Sequence, residues 1–246
     1  MSASQPLHDE IAVSKSGLKT LYIIGGIAAV LQLVTILSYG VIVAILGPKP
    51  TSAEEYFAIH QTSHLASVLR GDLLLVMLIG LYLGTFPAMF VALRRINPIY
   101  AALAVVFTLI GVAGAFANES TFSLFYLGEK YTTATEAQRA QLIAAGEAII
   151  ASDMWHGTAA YMGGILLQGS GVMISVIMLR SRDFSKVTAC AGLLGNGFDL
   201  LQHVLHPFAP SVSAFISMFM GLFYFVWFPM LARDLWRLAK RVVPNP

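Results

Sequence analysis

The sequence predicts an all-α integral membrane protein. The expected fold is a bundle of six membrane-crossing helices with both termini inside and amphipathic helices in the two long outer loops. Three observations predict it. Apolar residues make up 57% of the chain and charged residues only 11%, with a mean hydropathy of +0.74. A soluble domain carries about 25% charged residues, so this chain has too little charge to cover a water-exposed surface. Six segments reach the length of about 20 apolar residues that a bilayer core demands: 19–46, 72–93, 98–118, 154–180, 187–206 and 212–236. Finally, eleven of the fifteen Lys and Arg fall on one side when the connections alternate across the membrane.

Each element follows in order. Residues 1–16 read as a cytoplasmic tail, 17–241 as the membrane domain and 242–246 as a C-terminal tail. The first apolar run, Gly17 to Gly47, is far longer than a signal-peptide core of roughly 7–15 residues, so it is expected to remain as a helix. Pro48 and Pro50 end it. Thr51-Ser-Ala-Glu54 has the pattern of a capping box and opens an outer helix to Arg70. The second segment starts at Asp72, and Arg94 and Arg95 lead to the third. Thr133-Ala-Thr-Glu136 opens a second outer helix through Ile150 that runs on into the fourth span. The last outer turn, His206 to Pro210, is short. Lys15, Lys19, Arg94, Arg95, Arg180, Arg182, Lys186, Arg233, Arg237, Lys240 and Arg241 mark the inner side. Lys49, Arg70, Lys130 and Arg139 are left outside.

The outer helix leads into Leu69-Arg-Gly-Asp72-Leu-Leu-Leu, followed by Leu93-Arg-Arg-Ile-Asn-Pro98, Gly164-Ile-Leu-Leu and Met178-Leu-Arg-Ser-Arg182. With these stretches the chain resembles the six-span bacterial proteins grouped as DUF4386. The resemblance covers most of the chain and rests on hydropathy layout and local likeness. It implies a six-span fold and a multi-pass protein of the bacterial cytoplasmic (inner) membrane. It carries no functional residues across.

Chemistry is expected from polar stripes. Gly192, Asn196, Asp199, His203 and His206 step by four, three, four and three, which puts them on one helix face. An acidic side chain at membrane depth costs roughly 2.5–3.5 kcal/mol on insertion scales, so this face must meet protein or water. Asp153, His156, Ala160, Gly164, Gln168 and Gly171 make a second stripe, and Ala28, Gln32, Thr35 and Tyr39 a third. His60 and His64 stand four apart on the outer helix. Each has a bland alternative. Asp72 and Asp153 suit helix N-caps, Glu119 a solvated loop, His206 a C-cap, and His60 with His64 a wet helix face. Asp199 and His203 suit a self-neutralising pair.

The leading expectation is a polar pocket for a small ligand or ion, lined by Asp72, Asn196, Glu119 and Gln168. Asp199, His203 and Asp153 are its candidate proton-handling or catalytic groups. The rival is a zinc-dependent hydrolase at the outer leaflet, with ligands drawn from His156, His203, His206, His60 and His64. Such a site is similar in kind to those of the ceramidase and adiponectin-receptor hydrolases, which have seven spans. The third reading is a structural or accessory subunit. Expected partners are membrane lipids, a small ligand or ion, and a second copy of the chain. Scattered basic residues argue against nucleic acid. No G-x-S-x-G, Walker A or H-E-x-x-H pattern occurs. The single cysteine, Cys190, excludes an intrachain disulfide and a Cys-based metal motif, and is expected to be a small packing residue.

Overall fold

The computed structural model describes residues 5–242, with side chains from Lys15 onward. His8 and the ends of both tails lie outside the described side chains. Among the described residues every regular element is a helix: α1 (Gln5–Leu46), α2 (Ala53–Thr62), α3 (His64–Leu69), α4 (Leu73–Gly80), α5 (Tyr82–Leu93), α6 (Pro98–Ala117), α7 (Thr121–Thr133), α8 (Glu136–Ile150), α9 (Thr158–Arg180), α10 (Lys186–Leu205) and α11 (Pro210–Val242).

Five stretches are long and apolar enough to cross a membrane: Lys15–Leu46, Leu73–Leu93, Pro98–Thr133, Thr158–Arg180 and Pro210–Val242. The sixth expected span, α10, has 20 residues but is diluted by its own polar stripe. The helices leave apolar faces uncovered. On α1, Ile24, Ile27, Leu31, Val34, Leu37, Val41 and Ile45 recur every three or four residues, each at least 45% exposed. A continuous apolar stripe of that length is stable against lipid and not against water. The protein is a multi-pass membrane protein built from helices.

Local chemistry sets the boundaries. Gly47 adopts φ +90°, and its N–H closes on Val43 O at 3.0 Å, the left-handed stop that glycine permits. The first outer helix is capped by Ser52, one residue later than expected. Ser52 Oγ accepts from Glu55 N–H, and Glu55 accepts from Thr51 N–H. That helix does not reach Arg70 unbroken. Ser63 takes an extended conformation, ends α2 and caps α3 through Ala66 N–H. The second outer helix opens at a capping box of Thr135 and Gln138, two residues later than the expected Thr133 and Glu136. That helix does not enter the fourth span, because residues 151–157 form a turn before α9. The sequence reading also lacked α7, whose mixed polarity passes for a loop. Asn97 caps α6 by accepting from Tyr100 N–H, with Pro98 in the first helical position.

The chain forms two compact units. One comprises Met1–Leu33, Leu81–Leu109 and Leu167–Pro246; the other comprises Val34–Gly80 and Ile110–Leu166. In the first, α10 packs on α11 around Trp227, Phe228, Leu231 and Leu235, all fully buried. Small residues bring α1 and α5 together: a Cβ on Gly25 would lie 2.6 Å from that of Ala88, and one on Gly84 2.9 Å from that of Ala28. Asp234, wholly buried on α11, accepts from Ser185 N–H and Thr188 Oγ1 and is paired with Arg233 and Arg237. Cys190 is exposed, not packed as expected, since it lies off the buried face of α10.

In the second unit, α2, α7 and α8 share a core of Ala53, Tyr56, Phe57, Leu124 and Ile150. Gly146 admits Phe57: a Cβ there would meet the ring at 3.1 Å. Burial lifts the Tyr56 hydroxyl to a pKa of about 12, so it stays a donor, to Thr121 O at 3.3 Å.

Candidate functional site

The second unit holds a charged cluster around Lys49. Lys49 sits between the two prolines after α1. Arg70 holds that turn by donating Nε to Pro48 O at 2.8 Å and Nη2 to Glu55 at 3.2 Å. Lys49 Nζ donates to Asp72 Oδ2 at 2.5 Å and to Asp153 Oδ2 at 2.6 Å. Both carboxylates are buried, while the Lys49 side chain keeps 21% exposure. Asp72 Oδ1 also accepts from Trp155 Nε1 at 3.0 Å. Asp153 Oδ1 accepts the N–H groups of Trp155 and His156 at 2.8 and 3.1 Å. His156 Nδ1 lies 2.9 Å from that oxygen and 3.1 Å from Ile150 O. Both neighbours are acceptors, so Nδ1 carries the proton. Burial disfavours the charge on Lys49, but the two carboxylates outweigh it and its pKa is raised. Burial likewise pushes Asp153 up, but the Lys49 ammonium and the backbone donors outweigh it and the net shift is down.

A second group lies in the same unit. His60 is fully buried, with Nδ1 3.0 Å from Ser67 Oγ and Nε2 3.0 Å from Glu129 Oε1. His64 Nδ1 lies 3.4 Å from the same oxygen. The two imidazoles stack at 4.4 Å, 12° from parallel, and Phe125 meets both edge-on. Gly128 makes the room, since a Cβ there would be 2.8 Å from the His60 ring. The donor atoms of His60, His64 and Glu129 all lie within 4.8 Å of one another.

The first unit contains a hydrogen-bonded polar network around Asp199 of α10. Tyr224 Oη donates to Asp199 Oδ2 at 2.7 Å and stands near Gln168 and Asn196 at 3.3 and 3.4 Å. Gln202 Nε2 donates to Asp199 Oδ1 at 3.1 Å, and Ser213 Oγ reaches Gln202. Asn196 Nδ2 donates to Gly192 O at 2.8 Å. The face through Gly192, Asn196 and Asp199 is buried, as the stripe demands.

The expected site residues therefore divide. Asp72, Asp153 and His156 meet around Lys49. His60 and His64 meet at Glu129. Asn196, Asp199 and Gln168 meet at Tyr224. Asp153 and His156 are not part of the α9 stripe, because the turn at 151–157 removes them from that helix. Glu119 is half-buried and accepts from Thr121 N–H at 2.7 Å at the start of α7. His203 is half-buried on α10, and His206 is the exposed C-cap of that helix. Sequence reasoning missed Lys49, Trp155, Glu129, Ser67 and Tyr224. Lys49 had one available signal: a single cation flanked by prolines.

Five apolar helical stretches of membrane-crossing length, together with buried ionisable groups in each unit, define a multi-pass membrane protein. Within that class the chain belongs to the DUF4386 family, whose model, described as a domain of unknown function, matches residues 23–236. No curated protein and no solved structure matches it.

Proposed function

We propose that this is a six-span protein of the bacterial cytoplasmic membrane, both termini inside, that binds a small cation or amine at Asp72 and Asp153 on the outer side. One observation carries the reading: the Lys49 ammonium bridges two buried carboxylates at 2.5 and 2.6 Å. The pair exceeds its internal cation by one negative charge. Lys49 keeps 21% side-chain exposure, so it acts as a tethered stand-in that an incoming cation displaces. The partly exposed Trp155 indole, fixed on Asp72, supplies an aromatic face beside the pair. His156 adds an exposed ring whose Nδ1–H is committed.

The test is a titration of purified protein with methylammonium, read by tryptophan fluorescence. A saturable change is expected in the wild type and is lost in Asp72→Asn, with Trp155→Phe locating the signal. A flat wild-type titration overturns the reading. Orientation is tested by reporter fusions. Alkaline phosphatase is expected to be active when fused near residue 140, and a cytoplasmic fluorescent reporter near residues 95 and 183.

A further inference from the structure

We propose that His60, His64 and Glu129 form a three-ligand site for a zinc-class divalent cation that fastens α2 and α3 to α7. The proposal is independent of the Lys49 reading. It starts from the three donor atoms, all within 4.8 Å of one another. Behind them Ser67 Oγ lies 2.8 Å from His64 O. Ser67 Oγ also lies 3.0 Å from His60 Nδ1; in the tautomer protonated at Nδ1 that oxygen accepts, and the Nε2 lone pair faces Glu129 Oε1 at 3.0 Å. In that tautomer a metal ion between Nε2 and the carboxylate takes both as ligands. The second imidazole, 3.4 Å from the same oxygen, makes the arrangement three-sided.

Two imidazoles and a carboxylate are a donor set that zinc takes, with the fourth position left to water. Tetrahedral bonds of about 2.0–2.2 Å set neighbouring donors roughly 3.3–3.5 Å apart, and the two His–Glu129 separations of 3.0 and 3.4 Å lie close to that. His64 is exposed, so a modest rotation out of its stack closes the third edge. The Ser67 hydroxyl is the outer partner that metal-bound histidines commonly have on the other ring nitrogen. Gly128 keeps the buried ligand in position by leaving room for its ring. The open position falls on the side of Glu129 and His64, which are the exposed members.

The experiment uses tag-free full-length protein in detergent, stripped with chelator, given zinc chloride alone and desalted before metal analysis by mass spectrometry. About one zinc per chain is expected in the wild type. Affinity is expected to fall at least ~10-fold in His64→Ala and Glu129→Gln, and roughly 10–100-fold in Ser67→Ala, which removes the hydroxyl beside His60 Nδ1. His203→Ala keeps wild-type zinc. Because His64 is exposed, His64→Ala leaves the metal-free melting temperature unchanged, which separates lost binding from lost folding. Zinc raises the melting temperature of the wild type and not of His64→Ala. Wild-type protein without zinc leaves only a proton between His60 and Glu129 and overturns the proposal. Zinc that survives both His64→Ala and Glu129→Gln overturns it as well.

Discussion

Asp153 in one unit and Asp199 in the other are both buried carboxylates, and they are satisfied by different means. Asp153 shares an ammonium with Asp72 and takes two backbone N–H groups from its own turn. Asp199 receives a phenol and a side-chain amide from α11 and α10. The first arrangement depends on net charge and on a residue 104 positions away in sequence. The second depends on hydrogen-bond geometry between neighbouring helices. Charge removal should therefore damage the first far more than the second.

The largest effect is expected at Lys49. Lys49→Ala leaves two facing buried carboxylates without their cation, and removing one partner of a buried ionic group costs about 3–5 kcal/mol. Unfolding followed by circular dichroism in detergent checks this; a loss below about 1 kcal/mol would remove the contrast. Restoring neutrality sharpens the result: the double change Lys49→Met with Asp153→Asn should recover part of the loss.

Gly171→Ala probes packing in the other unit. A Cβ there would run into the Asn196 side chain, which is itself held by Gly192 O. Overpacking of this kind costs about 1–3 kcal/mol, read as a lower melting temperature. Tyr224→Phe is milder. It removes one interhelical hydrogen bond, worth on average about 0.6 kcal/mol and at most about 1.7 in a membrane bundle. A loss as large as that of Lys49→Ala would mean that Asp199 is as charge-dependent as Asp153.

The smallest change is expected from pH near neutrality. The lowered Asp153 pKa gives stability that is present above the unfolded value of about 3.9 and lost as pH falls through the lower folded value. The raised Lys49 pKa gives stability present below about 10.4 and lost as pH rises through the higher folded value. The bridge thus contributes a plateau from about pH 5 to 9 with losses on both sides. Wild type and Lys49→Met compared across pH should differ most on that plateau.

The helical class was legible because apolar length is a one-dimensional property. The buried face of α10 was legible for a related reason: periodicity within one helix needs no tertiary knowledge, and Gly192, Asn196 and Asp199 are buried together. The partners were not legible. Lys49 is a lone cation in a proline-flanked turn, and nothing local says that Asp153 will accept from it. Glu129 was hidden because α7 alternates aromatic and polar residues and reads as a loop. Asp153 and His156 fit the periodicity of the next helix by accident of spacing, while their backbone takes a turn that Asp153 stabilises by accepting from Trp155 and His156. Cys190 was judged by the apolar run around it, not by the face it occupies.

The short turn between α10 and α11 has a consequence for biosynthesis. α10 carries Asn196 and Asp199 on its buried face, and Tyr224, which donates to Asp199, belongs to the helix made next. On the six-span reading, a translocon receives α10 before that phenol exists. An unpartnered aspartate at membrane depth costs roughly 2.5–3.5 kcal/mol, enough to hold back a helix of middling hydropathy. α10 and α11 are therefore expected to enter the bilayer together as a hairpin. In a glycosylation-mapping assay α10 alone should stay out and the pair should go in; efficient insertion of α10 alone would count against this order of events. That order of events would give Tyr224 a part in synthesis as well as in the finished fold, the later helix retaining the earlier one.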